Sequence, residues 1–472
     1  MKKILIKNPK FIATMNDKMD EWSGGHILIE DNKIVSIGKQ PYIGNYDEEI
    51  DAAGMVVLPG FINTHHHLFQ TLTRNIPRMQ DEELFPWLVN HYEVWREVND
   101  EAIFTSAQTG LLEMMLSGVS TSSDHLYLFP SKCNNELIDI EIEAAQKLGI
   151  RFQPTRGSMS LSKKDGGLPP DDVVQTEEEI MKDSLRLIEK YHDSKDGAMI
   201  RISLAPCSPF SVTAELMKRT AKLAKEKNLM FHTHLAETID EENFCIEKFG
   251  DRPAAYLDSL GWISGNAWVA HAVHLSDEEI KKMGNCGMGI SHCPSSNMRL
   301  GSGTARIKEM LKAGVAVSLG VDGSASNDSS NMLSEIRQAM LLSRLRKPEF
   351  WLTAREVLRI ATRGGAAALG RDDIGELTIG KQADIALFSL DHLEYAGSLS
   401  DPLAALVFTQ RMRPVDYLII NGNIRIKKGE TEIDLKKLIN AHNRISAELI
   451  QRAQQNTGID FLKNNLANDA SA

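Results

Sequence analysis

The sequence is poor in cysteine and lacks long apolar runs. Only 5 of its 472 residues are cysteines, no two of them form a CxxC pair, and their positions are Cys133, Cys207, Cys245, Cys286 and Cys293. Scattered cysteines in an odd number predict free thiols in a reducing compartment. No apolar stretch approaches the roughly 20 residues of a membrane-spanning helix. The first apolar run is interrupted at Lys7, too early for a signal-peptide core. We therefore expect a cytoplasmic protein with no disulfide and no membrane partner.

Positive charge is also scarce. Lys and Arg number 53 against 64 Asp and Glu, which gives a formal net charge of −11. Such a chain repels the phosphate groups of nucleic acids and of anionic membrane surfaces. We therefore expect a small-molecule partner and no nucleic-acid partner.

What the chain does contain is typical of a globular protein. Hydrophobic residues make up 42% of it and charged residues 25%, with 6 Trp and 15 Phe, which argues against a disordered or fibrous chain. Its length exceeds that at which one hydrophobic core usually stops growing. We expect one large domain and at least one smaller unit.

Short β-branched apolar runs alternate with stretches of helical periodicity from about residue 56 to residue 345. This alternation is typical of parallel strands joined by crossover helices. Eight such units, with no GxGxxG after the first strand, predict an α/β fold of the (β/α)8 TIM-barrel type rather than a doubly wound sheet. The candidate strands are 56–62, 119–125, 150–156, 199–206, 229–234, 267–271, 287–292 and 315–322.

The segments on either side of the barrel have a different pattern. Residues 1–57 and 375–430 both alternate short strand-like runs with turns, which predicts a small β-sandwich domain formed jointly by the N- and C-terminal segments. The barrel, residues 58–374, would then be inserted in this sandwich. Residues 431–472 predict a C-terminal helical extension that ends in a polar tail.

Histidine and aspartate residues at the ends of the candidate strands predict a metal site. His65 and His67 lie two positions apart just after the first strand, so both imidazoles point to the same side. His234 ends the fifth strand and Asp322 the eighth, and in a TIM barrel the carboxyl ends of the strands carry the active site. Three histidines and a carboxylate suit one divalent ion, zinc first and iron as the alternative.

Two neighbouring histidines leave open questions about this ligand set. His66 would point away from the ion and have a structural role. His232 lies one pleat before His234 on the same face of its strand, and it could compete as a ligand. A surface histidine cluster is the alternative for the whole run from His65 to His67, but the apolar strand before it and the distant partners argue against that.

With these residues in place, the chain resembles the amidohydrolase superfamily. The resemblance covers the whole chain and implies HxH after strand one, a histidine after strands five and six, and an aspartate after strand eight. The histidine after strand six is His271, in Ala270-His271, with His274 as its rival. The fourth strand ends in 204–208 (LAPCS) without a lysine, so the resemblance favours the branch of deaminases with one metal ion.

Longer segments narrow the resemblance to the 8-oxoguanine deaminase group. They are 63–74 (NTHHHLFQTLTR), 156–160 (RGSMS), 166–171 (GGLPPD), 234–238 (HLAET), 292–303 (HCPSSNMRLGSG) and 320–328 (GVDGSASND). The resemblance implies a hydrolase acting on C–N bonds in cyclic amidines: deamination of a free nitrogen heterocycle, 8-oxoguanine to urate first, with release of ammonia. Isocytosine or guanine deamination and hydroxytriazine (hydroxyatrazine-type) aminohydrolysis are the alternatives.

The same resemblance suggests three catalytic residues. Asp322 would accept a proton from the attacking water, and His271 would orient that water. Glu237, three residues after His234, would protonate a ring nitrogen of the substrate. A solvated helix-start carboxylate is the alternative for Glu237. A non-catalytic scaffold is a remote alternative for the protein, since such scaffolds typically lose their metal ligands.

Substrate contacts are assigned to Gln70, Trp87 and Arg156. Gln70 offers a donor and an acceptor, Trp87 could cover an aromatic ring, and Arg156 could donate to a ring carbonyl. The alternatives are loop packing for Trp87 and an ion pair with Asp or Glu for Arg156. We also expect a homo-oligomer, a dimer or larger.

Overall fold

The chain folds into a closed barrel of eight parallel strands with two further sheets beside it. The computed structural model describes residues 2–134, 136–409 and 413–464. The predicted fold, a TIM barrel with a small sandwich, is confirmed. The final part of the predicted polar tail, residues 465–472, lies outside the described residues.

The strands fall into an N-terminal group, a barrel group and a C-terminal group. They are β1 (Lys3–Lys7), β2 (Phe11–Ala13), β3 (Glu21–Trp22), β4 (His26–Glu30), β5 (Lys33–Gly38), β6 (Glu48–Asp51) and β7 (Met55–Pro59), then the barrel strands β8 (Phe61–Asn63), β9 (Val119–Leu126), β10 (Arg151–Ser158), β11 (Ser203–Pro206), β12 (Phe231–Leu235), β13 (Ala267–His271), β14 (Gly289–His292) and β15 (Ala316–Leu319), and last β16 (Ile385–Ser389), β17 (Tyr417–Ile420) and β18 (Asn423–Lys427).

Helices surround the barrel and extend beyond it. They are α1 (Leu84–Trp95), α2 (Asp100–Leu116), α3 (Leu137–Leu148), α4 (Glu177–Tyr191), α5 (Ala214–Lys227), α6 (Ile239–Phe249), α7 (Pro253–Ser259), α8 (Asp277–Asn285), α9 (Pro294–Arg299), α10 (Ile307–Ala313), α11 (Met332–Ser343), α12 (Ala354–Arg359), α13 (Gly365–Ala368), α14 (Pro402–Phe408) and α15 (Leu435–Thr457). Within the described part of the chain, none of them combines the length and the apolar character that crossing a membrane requires.

The first candidate strand, residues 56–62, is in fact two strands that meet at Gly60. β7 pairs antiparallel with β16, outside the barrel, whereas β8 pairs in parallel with β9 and β15 inside it. A Cβ atom at residue 60 would collide with the Ser120 hydroxyl, so the close approach of two strands requires glycine here. One apolar run therefore contributes a strand to each domain. The change of pairing partner within the run cannot be read from its hydrophobicity.

The N- and C-terminal segments build two sheets with a common core. One sheet has the order β5-β4-β1-β6, and the other has the order β18-β17-β16-β7-β2-β3, so strands from both ends of the chain share the second sheet. Buried aliphatic side chains from both sheets pack against one another, among them Ile6, Ile29, Val57 and Ile385. This arrangement agrees with the predicted sandwich.

The long helix α15 packs beside the barrel mouth. His442 donates from Nε2 to the Thr71 carbonyl at 2.9 Å, and the Ser446 hydroxyl donates to the Leu72 carbonyl at 2.6 Å. Both carbonyls belong to a 3-10 turn, Leu68–Thr73, that begins directly after His67. The helix thereby supports the segment that leaves the first barrel strand.

Candidate active site

Four side chains from three strand ends meet inside the barrel mouth. His67 Nε2 lies 3.1 Å from His234 Nε2, and Asp322 Oδ1 lies 3.3 Å from His65 Nε2 and 3.4 Å from His67 Nε2. All four residues are buried. The structure thus brings together the four residues that the sequence assigned to a metal ion.

Backbone carbonyls fix the orientation of two of these imidazoles. His67 Nδ1 donates to the His125 carbonyl at 2.8 Å, and His234 Nδ1 donates to the Cys207 carbonyl at 2.7 Å. A carbonyl oxygen can only accept, so the proton of each neutral ring resides on Nδ1. The Nε2 lone pair of each ring is therefore directed to the centre of the site.

The protonation states of the cluster suit a cation. Burial holds the pKa of His65 well below its usual value and lowers the pKa of His234 to about 3, so both rings are neutral. Burial alone would raise the pKa of Asp322, but its interactions with His65, His271 and His67 hold it well below the usual value. Among the described residues, nothing forms a hydrogen bond with His65 Nε2. Neutral imidazoles and an ionised carboxylate are what zinc requires of its ligands.

Potential ligand atoms form three overlapping groups in which all atoms lie within 4.8 Å of one another. The groups are His65, His67 and His234; His65, His271 and Asp322; and His65, His125 and His232. Together, the first two groups contain the four predicted ligands and His271. The third group lies around the other nitrogen of His65, since His65 Nδ1 is 2.8 Å from His232 Nε2.

Left-handed backbone conformations occur at the strand ends that carry the site. Asp322 has φ 63°, His271 has φ 71° and Ala236 has φ 51°. Such conformations cost roughly 1–3 kcal/mol in residues other than glycine. At Asp322 a backbone N–H bond of 3.0 Å to the His65 carbonyl holds the conformation. Two of these three residues, His271 and Asp322, line the cavity.

Glu237, His271 and Asp322 lie next to each other at one side of the metal-ligand cluster. Glu237 Oε2 is 3.5 Å and Asp322 Oδ2 is 3.9 Å from His271 Nε2. On its other side, His271 Nδ1 donates a hydrogen bond to Asn297 Oδ1 at 2.9 Å, which orients the ring. The geometry therefore supports short proton transfers between an acid, an imidazole and a carboxylate.

His274, the rival of His271, occupies a different place. Its Nε2 donates to the Ser302 carbonyl at 2.9 Å, and its ring is only partly buried. His274 is not among the residues that line the cavity, whereas His271 is.

The carboxyl of Glu237 has a raised pKa. Burial is the largest cause and raises the pKa to about 7; the positive charge of His271 opposes this shift, and the negative charges of Asp322 and Glu241 add to it. Glu241 also fixes the local backbone, because its two oxygens accept the N–H groups of Ala236 and Glu237 at 2.8 Å each. Near neutral pH, Glu237 can hold a proton and give it up.

A cavity lies in front of these residues. Its lining combines polar groups with apolar and aromatic ones. The polar groups include His67, Gln70, His234, Glu237, His271 and Asp322, and the others include Leu84, Trp87, Leu88, Tyr92, Phe210 and Leu300. An apolar space with a few convergent polar groups is typical of small-molecule sites.

Two of the three predicted substrate contacts, Gln70 and Trp87, line this cavity. Gln70 Nε2 lies 3.4 Å from the Tyr127 hydroxyl, and among the described residues neither Gln70 Oε1 nor Trp87 Nε1 has a hydrogen-bond partner. Trp87 also packs against His91, with 4.2 Å between the ring centroids. A Cβ atom at Gly323 would collide with Gln70. Both residues can therefore offer polar atoms to a bound molecule.

The third, Arg156, does not line the cavity. It is fully buried, its Nε donates to Asp183 at 2.5 Å, and another of its nitrogens donates to Gln175 at 2.7 Å. Its guanidinium lies 4.0 Å from the ring centroid of Phe129. The ion-pair alternative is thus what the structure shows for Arg156. The side chain ends in this pair because α4, which carries Asp183, packs outside β10.

Sequence reasoning did not assign several residues of the site. Leu84 and Leu88 belong to α1 and, with Trp87, follow the i, i+3, i+4 spacing of one helix face, a signal that could have found them. Asn297, the hydrogen-bond acceptor of His271, was included only in the segment 292–303, and Cys207 was interpreted only as a free thiol. Their contributions depend on contacts between strands that no local pattern contains.

Comparisons with known proteins agree with this geometry. The model of the amidohydrolase family matches residues 56–425. The 8-oxoguanine deaminase of Pseudomonas aeruginosa is 47% identical over 95% of this chain and 100% of that protein. The hydroxydechloroatrazine ethylaminohydrolase of Pseudomonas sp. strain ADP is 33% identical over 86% of this chain and 87% of its own length.

A solved structure with the same fold is that of an atrazine chlorohydrolase from Arthrobacter aurescens TC1, complexed with zinc. It superimposes with a TM-score of 0.90 at 35% identity and covers 94% of this chain and 100% of that one. The family model spans the barrel and the C-terminal strands of the sandwich, and these relatives cover 86–95% of the chain. The chain therefore belongs to the amidohydrolase family.

Proposed function

We propose that this protein is a metal-dependent aminohydrolase of a free nitrogen heterocycle, with 8-oxoguanine as its substrate. Water would replace the exocyclic amine, so that 8-oxoguanine and water give urate and ammonia. The observation that carries the proposal is the carboxyl of Glu237, with a pKa of about 7, 3.5 Å from His271 beside a three-histidine, one-aspartate cluster. The 47% identity to an 8-oxoguanine deaminase selects the substrate.

His65, His67, His234 and Asp322 would hold one divalent ion, zinc first and iron as the alternative. Their neutral imidazoles, ionised carboxylate and buried setting match the ligands that zinc prefers. Such an ion lowers the pKa of coordinated water toward ~7 and so supplies a nucleophile at neutral pH.

The neighbouring residues would carry out the proton transfers. Asp322 Oδ2, 3.9 Å from His271 Nε2, would accept a proton from the attacking water, and His271 would orient that water. Glu237 would protonate the ring nitrogen next to the carbon under attack and later help to deliver a proton to the departing ammonia. Each role needs only one hydrogen-bond step.

Gln70 and Trp87 would select the heterocycle. The free Oε1 of Gln70 can accept from a ring N–H, and the Trp87 indole can cover the flat ring and donate from Nε1. A buried polar group without a partner is costly, so a ligand that satisfies both atoms is favoured over one that satisfies neither. Arg156 has no part in this proposal because its guanidinium is bound to Asp183.

Isocytosine, guanine and hydroxyatrazine-type triazines remain alternative substrates, because all share an amidine-like C–NH2 or C–NHR edge. A hydroxydechloroatrazine ethylaminohydrolase at 33% identity favours testing the triazine. A non-catalytic scaffold is disfavoured, since the chain keeps its four candidate ligands together with Glu237 and His271.

The test is to follow ultraviolet absorbance and amine release by the zinc-reconstituted protein with 8-oxoguanine, isocytosine, guanine and hydroxyatrazine in parallel. The released amine is ammonia for the first three compounds and an alkylamine for hydroxyatrazine. We expect the highest kcat/KM for 8-oxoguanine and stoichiometric ammonia. A higher kcat/KM for another of these compounds would make that compound the substrate in place of 8-oxoguanine. No turnover of any of the four compounds by the zinc-bound protein would refute the proposed activity.

Three further predictions concern organisation. We propose the domain division 1–57 with 375–430, 58–374 and 431–472, a cytoplasmic location and a homo-oligomer, a dimer or larger. The location is supported by the five scattered cysteines. Limited proteolysis, cell fractionation and light scattering, respectively, test them.

A further inference from the structure

His65 differs from the other two histidines of the cluster in the partner of its second ring nitrogen. His67 and His234 each donate from Nδ1 to a backbone carbonyl. His65 Nδ1 instead lies 2.8 Å from another side chain, His232 Nε2. Two imidazole nitrogens at this distance share one proton in a hydrogen bond. The other contact of His232 decides which of the two nitrogens carries that proton.

That other contact is a backbone carbonyl. His232 Nδ1 lies 2.9 Å from the Trp268 carbonyl, which can only accept, so His232 carries its proton on Nδ1. An additional charge on His232, buried among other histidines, would be costly, which leaves Nε2 without a proton. His65 Nδ1 therefore donates to His232, and the remaining nitrogen of His65, Nε2, has a free lone pair directed toward Asp322.

Trp268 holds His232 in this position. Its indole ring stacks on the imidazole with 4.5 Å between centroids and 20° between planes. Its Nε1 donates to the carbonyl of Thr64, the residue before His65, at 3.0 Å. His232 and Trp268 are also direct neighbours in the register of β12 and β13. A single rigid unit thus fixes both the backbone and the ring of His65.

We propose that His232 is a positioning residue for zinc. It fixes His65 in the one tautomer that can bind the ion, and the group His65, His125 and His232 is not a second metal site. The inference rests on the zinc ligands of the proposed function. Tetrahedral ligands about 2.0–2.1 Å from one zinc ion lie roughly 3.3–3.4 Å apart. The 2.8 Å between His65 and His232 is shorter and fits a hydrogen bond.

The third member of that group has one free ring nitrogen. His125 donates from Nε2 to the Ala205 carbonyl at 3.0 Å, so its lone pair is on Nδ1, which has no hydrogen-bond partner among the described residues. Because His65 Nδ1 and His232 Nε2 are joined in a hydrogen bond, this single nitrogen is what the group could offer to an ion, too few ligands for a tight zinc site. The carbonyl of His125 meanwhile accepts the proton of His67. His125 and His232 therefore form a layer below the cluster that orients its members, one through a carbonyl and one through an imidazole.

The test compares zinc affinity by chelator competition in the full-length protein and in three variants. His232→Leu leaves His65 Nδ1 without an acceptor, and we expect zinc affinity to fall about 10–100-fold. His232→Gln can accept from His65 and donate to Trp268, so it should recover most of the loss. The control His91→Leu removes a histidine that is equally buried and contacts no ligand, and it should leave zinc affinity unchanged.

Unfolding of the metal-free proteins separates positioning from general stability. If His232→Leu does not fold, His232→Met, which has the length of glutamine but no amide, takes its place in the comparison with His232→Gln. Equal zinc affinity in the wild type, His232→Leu (or His232→Met) and His232→Gln would overturn the inference. So would two tightly bound zinc ions per wild-type chain, of which the leucine or methionine variant loses one.

These outcomes do not depend on turnover. If the wild type binds no zinc, the proposed function fails together with this inference. If the wild type binds one zinc ion tightly and the variants bind it equally well, only the positioning role fails.

Discussion

The two ends of the barrel bury charged side chains in opposite ways. At the amino end, Arg151 begins β10 and forms a bidentate pair with Asp384, at 2.9 and 3.1 Å, which joins the barrel to the sandwich. The same guanidinium donates to the carbonyls of Gly197 and Ala198. Arg371 and Asp373 form a second pair nearby, at 2.7 Å.

At the carboxyl end, the carboxylates that line the cavity have no such cations, and the buried guanidinium of Arg156 pairs with Asp183 outside the cavity. Among the described residues, Glu237 and Asp322 form close charge contacts only with histidines. Burial alone would raise the pKa of Asp373, but its hydrogen bond and charge interaction with Arg371 hold that pKa well below the usual value. A carboxylate that faces imidazoles and a cavity can instead exchange protons or bind an ion. The difference separates the end that stabilises the fold from the end that can react.

The largest effect should come from removing the proton donor of the carboxyl end. Glu237→Gln keeps the shape of the side chain and removes the exchangeable proton, so we expect kcat to fall about 10²–10⁴-fold. Zinc content should not change, because Glu237 is not a ligand. Ammonia release measures the loss, and Glu247→Gln, on the exposed side of α6, is the control. An active Glu237→Gln enzyme would remove Glu237 from the mechanism.

The paired charges of the amino end should matter for stability instead. Asp384→Ala leaves the Arg151 guanidinium buried without its partner, and we expect the free energy of unfolding to fall by about 3–5 kcal/mol. Chemical denaturation measures this loss. Zinc affinity of the folded variant should remain that of the wild type. A stable Asp384→Ala protein with weakened zinc binding would contradict the division between the two ends.

The pH dependence of kcat/KM sharpens the comparison further. Burial raises the pKa of Glu237 from 4.5 to about 7, and the proposed mechanism uses its protonated form. The titration of Glu237 should therefore leave kcat/KM unchanged below pH 7. Above pH 7, kcat/KM should fall about tenfold per pH unit. A profile that rises with pH through this range would assign Glu237 the opposite role.

The smallest effect should come from Glu241, which acts on Glu237 without reaching the cavity. Its negative charge helps to raise the pKa of Glu237, so Glu241→Gln should move the alkaline limb of the pH profile to lower pH. The amide oxygen can still accept one of the two backbone N–H groups, so kcat should change less than tenfold. An unmoved limb would show that the charge of Glu241 does not contribute to the pKa of Glu237.

Much of the fold and of the site could be predicted from the sequence. Eight apolar runs with helical stretches between them indicated the barrel, and the two-residue spacing of His65 and His67 placed both rings on one side. The position of His234 and Asp322 at strand ends followed from the same pattern. These features are local, so they are visible in the order of residues.

Other features could not be predicted because they depend on which strands become neighbours. The run 56–62 divides at Gly60 because β7 and β8 find different partners. The ion pair of Arg156 requires α4 to pack beside β10. The bond between Asn297 and His271 joins residues 26 positions apart.

By itself, the sequence determined which chemistry is available. It supplies three histidines and an aspartate for a metal ion, a glutamate three residues after the ligand His234, and an apolar core large enough to bury them. Only the tertiary structure decided the state in which each group is held. Carbonyls and His232 set the tautomers, burial raises the pKa of Glu237, and arginines fix the charges at the opposite end. Protonation and orientation depend on distances of a few ångströms in three dimensions, which residue order does not specify.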